Sequence, residues 1–322
     1  MFLKNRFFYY NHRRTIIAGA LVLFFFLYLA FFSSPMSFPV GSLVSVEKGL
    51  TLSETAIHFE NSKVVRSPMM FKLLVRLFSG DGRVIAGDYF FDKKVTVIGL
   101  VKKITRGEYG LDPVRVTIHE GLNIFEIAEI LENRLPDFDG LEFVSLAKEK
   151  EGYLFPDTYF FLPNIEPEQV ISEMNNNFFN QIEPLHEEIQ KFGRPLGDIV
   201  VMASILEKEA RTKKTRETIS GILWKRLDSG MRLQVDAVFT YINGKNTFEL
   251  SLNDLDIDSP YNTYKYAGLP AGPITNPGLG SILATISPTD SPYWFYLSDL
   301  DGNMHYATTF DGHKVNKLKY LK

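Results

Sequence analysis

The chain contains no cysteine. That excludes a disulfide framework, thiolate zinc sites, iron–sulfur clusters and a cysteine nucleophile. Histidine is scarce: His12, His58, His119, His186, His305 and His313 are all there are. None forms an HExxH pair, and no two stand at ligand spacing on one helix. There is no GxSxG elbow, no suitable Ser-x-x-Lys pair and no GxxxxGK phosphate loop. Gly278-Leu279-Gly280 lacks the third glycine and the strand–turn–helix setting of a dinucleotide fingerprint. The acidic turn Asp299, Asp301, Gly302, Asn303 has its glycine too early for a calcium loop and reads better as a hairpin turn. Charge of one sign is not in excess either. The net charge is −3, too mild to make nucleic acid a partner on charge alone.

What is present is an ordinary globular composition, 45% hydrophobic and 23% charged over 322 residues, with room for two or three domains. The first 14 residues carry Lys4, Arg6, Arg13 and Arg14 and no acid. Thr15 to Phe32 then runs 18 residues without a charge, at the short end of what spans a bilayer. The positive flank comes first, which keeps the N-terminus cytoplasmic. The following SSPMSFPV offers no clean small-x-small cleavage site, so a retained signal anchor is expected rather than a cleaved signal peptide. With the four basic residues set aside, 31 basic residues face 38 acidic ones. The exported part then carries about −7, a second argument against nucleic acid.

After a short linker at 33–41 the chain repeats a pattern. Val44 to Ala56 (VSVEKGLTLSETA) and Val116 to Ala128 (VTIHEGLNIFEIA) each alternate, reach a Gly-Leu turn, then shift to helical spacing. Gly49 aligns with Gly121, Glu54 with Glu126, and Tyr89-Phe90-Phe91 with Tyr159-Phe160-Phe161. Two α+β units are expected over 42–165. Further helices are expected near Met69–Phe78 and Ile124–Leu135, with a short amphipathic stretch over Thr96–Ile104. A largely solvated helix is expected over Glu166–Phe192. The last domain, 166–322, reads as mixed α/β. In it Asp198 is expected to cap a helix with a dense apolar stripe. A second helix follows over Thr215–Leu227, then a β-like run at Met231–Val235, a long loop and a closing aromatic hairpin.

Chemistry falls to carboxylates. The apolar stripe from Ile199 to Leu206 runs into Glu207-Lys208-Glu209. At 100° per residue, Glu207 lies about 80° to one side of the stripe and Glu209 about 80° to the other. A carboxyl on that border is partly desolvated, which raises its pKa and suits a general acid. The two cannot face one sugar as a pair. A solvated helix end fits them as well, and position alone does not choose between them. The loop Ser259–Gly278 (SPYNTYKYAGLPAGPITNPG) offers Tyr261, Tyr264 and Tyr266 for stacking on sugar faces. It also offers Asn262, Thr263 and Asn276 for hydrogen bonds, on a proline-stiffened frame. A packed structural connection fits it equally. Gln234 and Asp236 fall on one side of the β-like run, where Asp236 can position a substrate group or orient Gln234. An edge-strand polar face also accounts for them.

The segments ASILEKEA (203–210), GMRLQVD (230–236), SPYNTY (259–264), GLPAGPITNPG (268–278) and the closing hairpin follow one another in order. Together they resemble the endolytic murein transglycosylase family, the YceG-like proteins, from about Gly41 to the C-terminus. Ala271 stands where a second proline is expected. The resemblance implies an α+β protein with a transmembrane helix, a lysin-motif-like region and a catalytic domain, anchored in the cytoplasmic membrane with that domain outside. It implies a lyase that cuts the β-1,4 bond between N-acetylmuramic acid and N-acetylglucosamine inside peptidoglycan glycan strands, leaving 1,6-anhydro ends and needing no cofactor or metal. Glu209 matches the catalytic glutamate. Glu207 is then structural or tunes the site, and Gln234, Asp236, Tyr261, Asn262, Thr263 and Tyr264 fall around the cleft; with Glu207 and the loop's Asn276 these are the candidate substrate-binding residues. Peptidoglycan synthases of the penicillin-binding class are implied as partners. The rival readings are a non-catalytic wall-binding scaffold and a true hydrolase in which Asp236 or another acid places water.

Overall fold

The computed structural model describes residues 2–80, 82–136, 138–245, 249–299 and 301–321, with side chains described from Ile16 onward. The chain divides into two compact units, Met1–Asp112 and Pro113–Lys322. The architecture is mixed α+β, with many helices and three small antiparallel sheets of two strands each among the described residues.

The first unit runs α1 (Phe2–Phe31), β1 (Leu43–Val46), α2 (Leu52–Asn61), α3 (Pro68–Ser79), β2 (Gly87–Phe90) and α4 (Val97–Arg106). The basic residues Lys4, Arg6, Arg13 and Arg14 lie outside the described side chains. Among the described residues no helix is long and apolar enough to cross a membrane. Thr51 caps α2 in a reciprocal capping box with Glu54, which satisfies two otherwise orphaned N–H groups. Phe59, Phe71, Tyr89, Phe91, Leu100 and Ile104 close the core with no exposed surface.

The second unit opens with the same order: β3 (Val114–Thr117), α5 (Ile124–Arg134), α6 (Gly140–Ala147) and β4 (Thr158–Phe161). The residues aligned in the sequence occupy matching places. Val44 pairs with Tyr89 across β1 and β2, and Val116 with Tyr159 across β3 and β4. Gly49 and Gly121 both take the left-handed backbone, φ 90° and 81°, which an L side chain resists. Asn123 and Glu126 build on α5 the capping box that Thr51 and Glu54 build on α2.

From here the unit is helical: α7 (Pro167–Ile182), α8 (His186–Phe192), α9 (Leu196–Glu209), α10 (Lys213–Asp228), α11 (Val238–Asn243) and α12 (Leu279–Ile286), closed by β5 (Phe295–Ser298), β6 (Met304–Ala307) and α13 (Phe310–Tyr320). Three expectations change. The stretch 166–192 is two helices, and α7 is not mainly solvated: it buries Val170, Ile171, Met174, Phe178 and Ile182, a stripe at helical spacing diluted in sequence by four asparagines. Helix α9 starts at Leu196, not at Asp198, which sits in the first turn where its charge suits the positive helix end. Residues 231–235 form no strand. They lie against the loop, with the Gln234 and Val235 N–H groups donating to the Thr263 carbonyl (3.2 Å) and hydroxyl (3.0 Å).

Candidate active site

Helix α9 is the axis of the second unit. Its residues from Ile199 to Leu206 are all buried, a helix apolar on every side and enclosed for that reason. At roughly 1.5–3 kcal/mol per buried Val, Ile, Leu or Met side chain, this helix is fixed in place, and so are the two glutamates at its end. Buried Ser204 ties it to the loop: its hydroxyl accepts from the Ile274 N–H (3.1 Å) and its carbonyl from the Thr275 hydroxyl (3.2 Å).

Glu209 is the last residue of α9, at the helix end whose partial negative charge disfavours a carboxylate. It is half-buried. Burial is the main force on it and the Asp236 charge adds to it, while the Tyr296 hydroxyl, the Ala237 N–H and the Arg226 charge oppose; the outcome is a pKa pushed up from 4.5 to about 7. Burial holds the Tyr296 hydroxyl far above its ordinary pKa, so that group stays a donor. Asp236 is held by the Tyr264 hydroxyl, which donates to its Oδ1. Arg226, 5% exposed, anchors the surround by donating from Nε to the Trp294 carbonyl (2.7 Å) and from Nη1 to the Leu233 carbonyl (2.6 Å). A carboxyl titrating near neutrality beside a protonated phenol and a second carboxylate can both give and take a proton at neutral pH.

Glu207 points elsewhere, as the helical angles require. Its Oε1 receives the Arg216 Nη2 at 2.5 Å and its Oε2 the Gly278 N–H at 2.9 Å, and its side chain is 4% exposed. Arg216 also donates to the Ala210 carbonyl at 2.9 Å. Both carboxylate oxygens are therefore engaged in a latch that joins α9, α10 and the loop. Glu207→Ala strands a mostly buried guanidinium, and the unfolding free energy should fall by about 3 kcal/mol. Chemical denaturation measures it, and a change under about 0.5 kcal/mol would contradict the latch.

The loop residues divide. Three of those expected against sugar turn inward. Asn262 has no exposed surface; its amide donates to the Leu255 and Ile257 carbonyls, and its Oδ1 accepts from the Tyr264 and Lys265 N–H groups. Thr263, 2% exposed, is bonded to Val235. Asn276, with no exposed surface, joins the loop to the β3–β4 region. Its amide donates to the Leu122 carbonyl (3.1 Å) and Glu151 Oε1 (2.8 Å), and its Oδ1 accepts from the Leu154 N–H (2.9 Å). Tyr261 and Tyr264 stay half-buried beside Asp236 and α11. Gln234 is exposed with φ 50°, a conformation unusual outside glycine and frequent at functional sites. Among the described residues no three His, Asp or Glu side chains gather as a metal-binding group.

Sequence reading missed Arg226, Tyr296 and Glu151. The first two come from segments far from Glu209 in the chain, and only the fold brings them to it. Glu151 is 4% exposed. It accepts from the Ile124 N–H (3.1 Å) and the Asn276 amide, and burial pushes its pKa to about 7. In sequence only its place before a glycine marked it; in the structure Gly152 takes φ 84° against Pro273, which leaves no room for a Cβ.

Comparison with known proteins fits this arrangement. An endolytic murein transglycosylase of Bacillus subtilis is 28% identical over 305 residues, covering 86% of this chain and 84% of the relative. An endolytic murein transglycosylase of Streptococcus pneumoniae is 26% identical over 320 residues, covering 86% of this chain but 58% of that longer relative. The crystal structure of a YceG-like protein from Listeria monocytogenes matches with a TM-score of 0.58 at 29% identity, over 86% of this chain and 98% of that one. The YceG-like family model matches residues 44–319, all but the ends of the sequence, and the chain belongs to the YceG-like family.

Proposed function

We propose that this chain is an endolytic peptidoglycan lytic transglycosylase, a lyase with Glu209 as both acid and base. The observation that carries the reading is the Glu209 carboxyl at the end of α9, raised to about 7 beside Asp236 and Tyr296, in a chain 28% identical to a protein named for that activity. Glu209 enters protonated and gives its proton to the glycosidic oxygen between N-acetylmuramic acid and N-acetylglucosamine. The C1–O bond breaks, and positive charge builds at the muramic C1 near the negative Asp236. The muramic C6 hydroxyl then attacks C1 and yields its proton to Glu209. The 1,6-anhydro ring closes, the acid is restored and no water is consumed. Asp236, Tyr264, Tyr296 and Gln234 surround the reacting sugar, and Tyr261 lies beyond them. Glu207, Asn262, Thr263 and Asn276 serve by shaping the loop.

The N-terminal segment is proposed to anchor the protein in the cytoplasmic membrane with the rest outside, on the strength of the charge-free run 15–32 behind a basic tail. The two β-α-α-β segments are proposed as lysin-motif-like wall-binding modules, because their strand registers, turns and caps recur. Peptidoglycan synthases are the proposed partners, since they make the strands that this enzyme cuts.

The pH–rate profile tests the acid role. The first step needs the protonated form, so kcat/KM on uncrosslinked strands should be level in the acid range. It should fall about tenfold per pH unit well above 7. A break near 4.5, or a rate still rising through about pH 8, would contradict Glu209 as the acid.

A further inference from the structure

Three aromatic rings on three different elements of the second unit stand in succession, each next to the following one. Phe125 is the second residue of α5, Tyr241 lies on α11 and Tyr261 in the loop. The Phe125 and Tyr241 ring centroids are 6.4 Å apart, and those of Tyr241 and Tyr261 are 4.8 Å apart at 43°. Phe125 is 55% exposed. Single exposed apolar residues are common and need no explanation. This one adjoins two rings carried by elements that also carry neighbours of Glu209 and Asp236. Ala237, whose N–H faces Glu209, is the N-cap of α11, and Tyr241 stands about one helical turn, roughly 6 Å, further on. Tyr261 is three residues before Tyr264, the partner of Asp236.

The row is held rigid from below. The Asn123 Oδ1 accepts from the Phe125 N–H (3.0 Å) and the Glu126 N–H (2.9 Å). Glu151 holds the Ile124 N–H and, through Asn276, the loop that carries Tyr261. The backbone that carries Phe125 and Tyr261 is thus set before any ligand arrives, which limits the ordering cost of binding. Aromatic faces, one of them the exposed Phe125 ring and two carrying hydroxyls paired with each other, suit a ligand that is apolar on its ring faces and hydroxylated at its edge. A pyranose is such a ligand.

We infer that Phe125, Tyr241 and Tyr261 form an extended saccharide subsite, which holds N-acetylhexosamine units of the same glycan strand at a distance from the cleaved bond. The inference rests on the transglycosylase reading and adds to it a source of preference for strand interiors. A strand held at the rings as well as at Glu209 must continue past the cleaved bond by a few sugar units, which a disaccharide does not.

The test uses the full chain. Glu209→Gln, as the non-cleaving form, is titrated calorimetrically with uncrosslinked glycan strands, alone and combined with Phe125→Ala. The active enzyme is assayed in parallel with Phe125→Ala and Phe125→Trp. The expected result is about tenfold weaker strand binding for Phe125→Ala, with the loss in kcat/KM falling on KM and restored by Phe125→Trp. Equal affinity and equal KM for Phe125→Ala and its parent, while the active enzyme cuts strands, would overturn the subsite and leave the transglycosylase reading standing. No cutting by the wild type and no strand binding by Glu209→Gln would overturn both.

Discussion

Glu209→Gln should lower strand cleavage by at least about a thousandfold while leaving the fold intact. The estimate follows from the two proton transfers assigned to one side chain, since a positioned acid or base contributes typically 10²–10⁴. Glutamine keeps the size of the side chain and can still accept from the Ala237 N–H and the Tyr296 hydroxyl, but it has no proton to give and no charge to receive one. Its neighbours lose little, because burial already favours the neutral form of Glu209, relative to an exposed carboxyl. Cleavage rates and thermal melts of the two proteins measured together check this. A variant that melts with the wild type and cuts within about tenfold of it would remove Glu209 from the chemistry. The rival reading, a wall-binding scaffold, predicts no cleavage by either form.

Asn276→Ala should be the most damaging of the loop substitutions, by about 4 kcal/mol. It takes the partner from the Leu154 N–H and from Glu151 Oε1 in a buried place, and one of two donors from the Leu122 carbonyl; each stranded group costs roughly 1–3 kcal/mol. The Asn276 backbone bonds, which accept from the Gly121 N–H and donate to the Leu122 carbonyl, survive the change and cap the damage. Denaturant unfolding checks the magnitude. Were Asn276 a sugar contact instead, Asn276→Ala would keep its stability within about 0.5 kcal/mol and lose substrate affinity.

The sequence made the repeat legible because its signals are local. A left-handed glycine, a capping box and an alternating strand each depend on residues within a few positions, and Gly49/Gly121 and Glu54/Glu126 carry them in the structure too. The opposite orientations of Glu207 and Glu209 were legible from helix geometry. Which of the two faces the site was not, because that depends on where Arg216 and Tyr296 stand, and both belong to other elements. The loop shows the limit most clearly. Asn262, Thr263 and Asn276 have the chemistry of sugar-binding residues, and the same donors and acceptors serve as well to brace a 20-residue connection without regular structure. Only burial separates the two uses, and burial is a tertiary property. The β-like reading of 231–235 failed for a related reason. Its alternation is real, but Gln234 at φ 50° breaks the pleat and a loop supplies its hydrogen bonds.

The central claim is that one glutamate cuts a glycan strand without water. Mass spectrometry of the fragments tests it most directly, after the full chain is incubated with uncrosslinked peptidoglycan and Glu209→Gln is treated alongside. The account predicts 1,6-anhydromuramic ends from the wild type and none from the variant. Reducing muramic ends from the wild type would contradict it, since they require a water that this mechanism never uses and would make the protein a hydrolase.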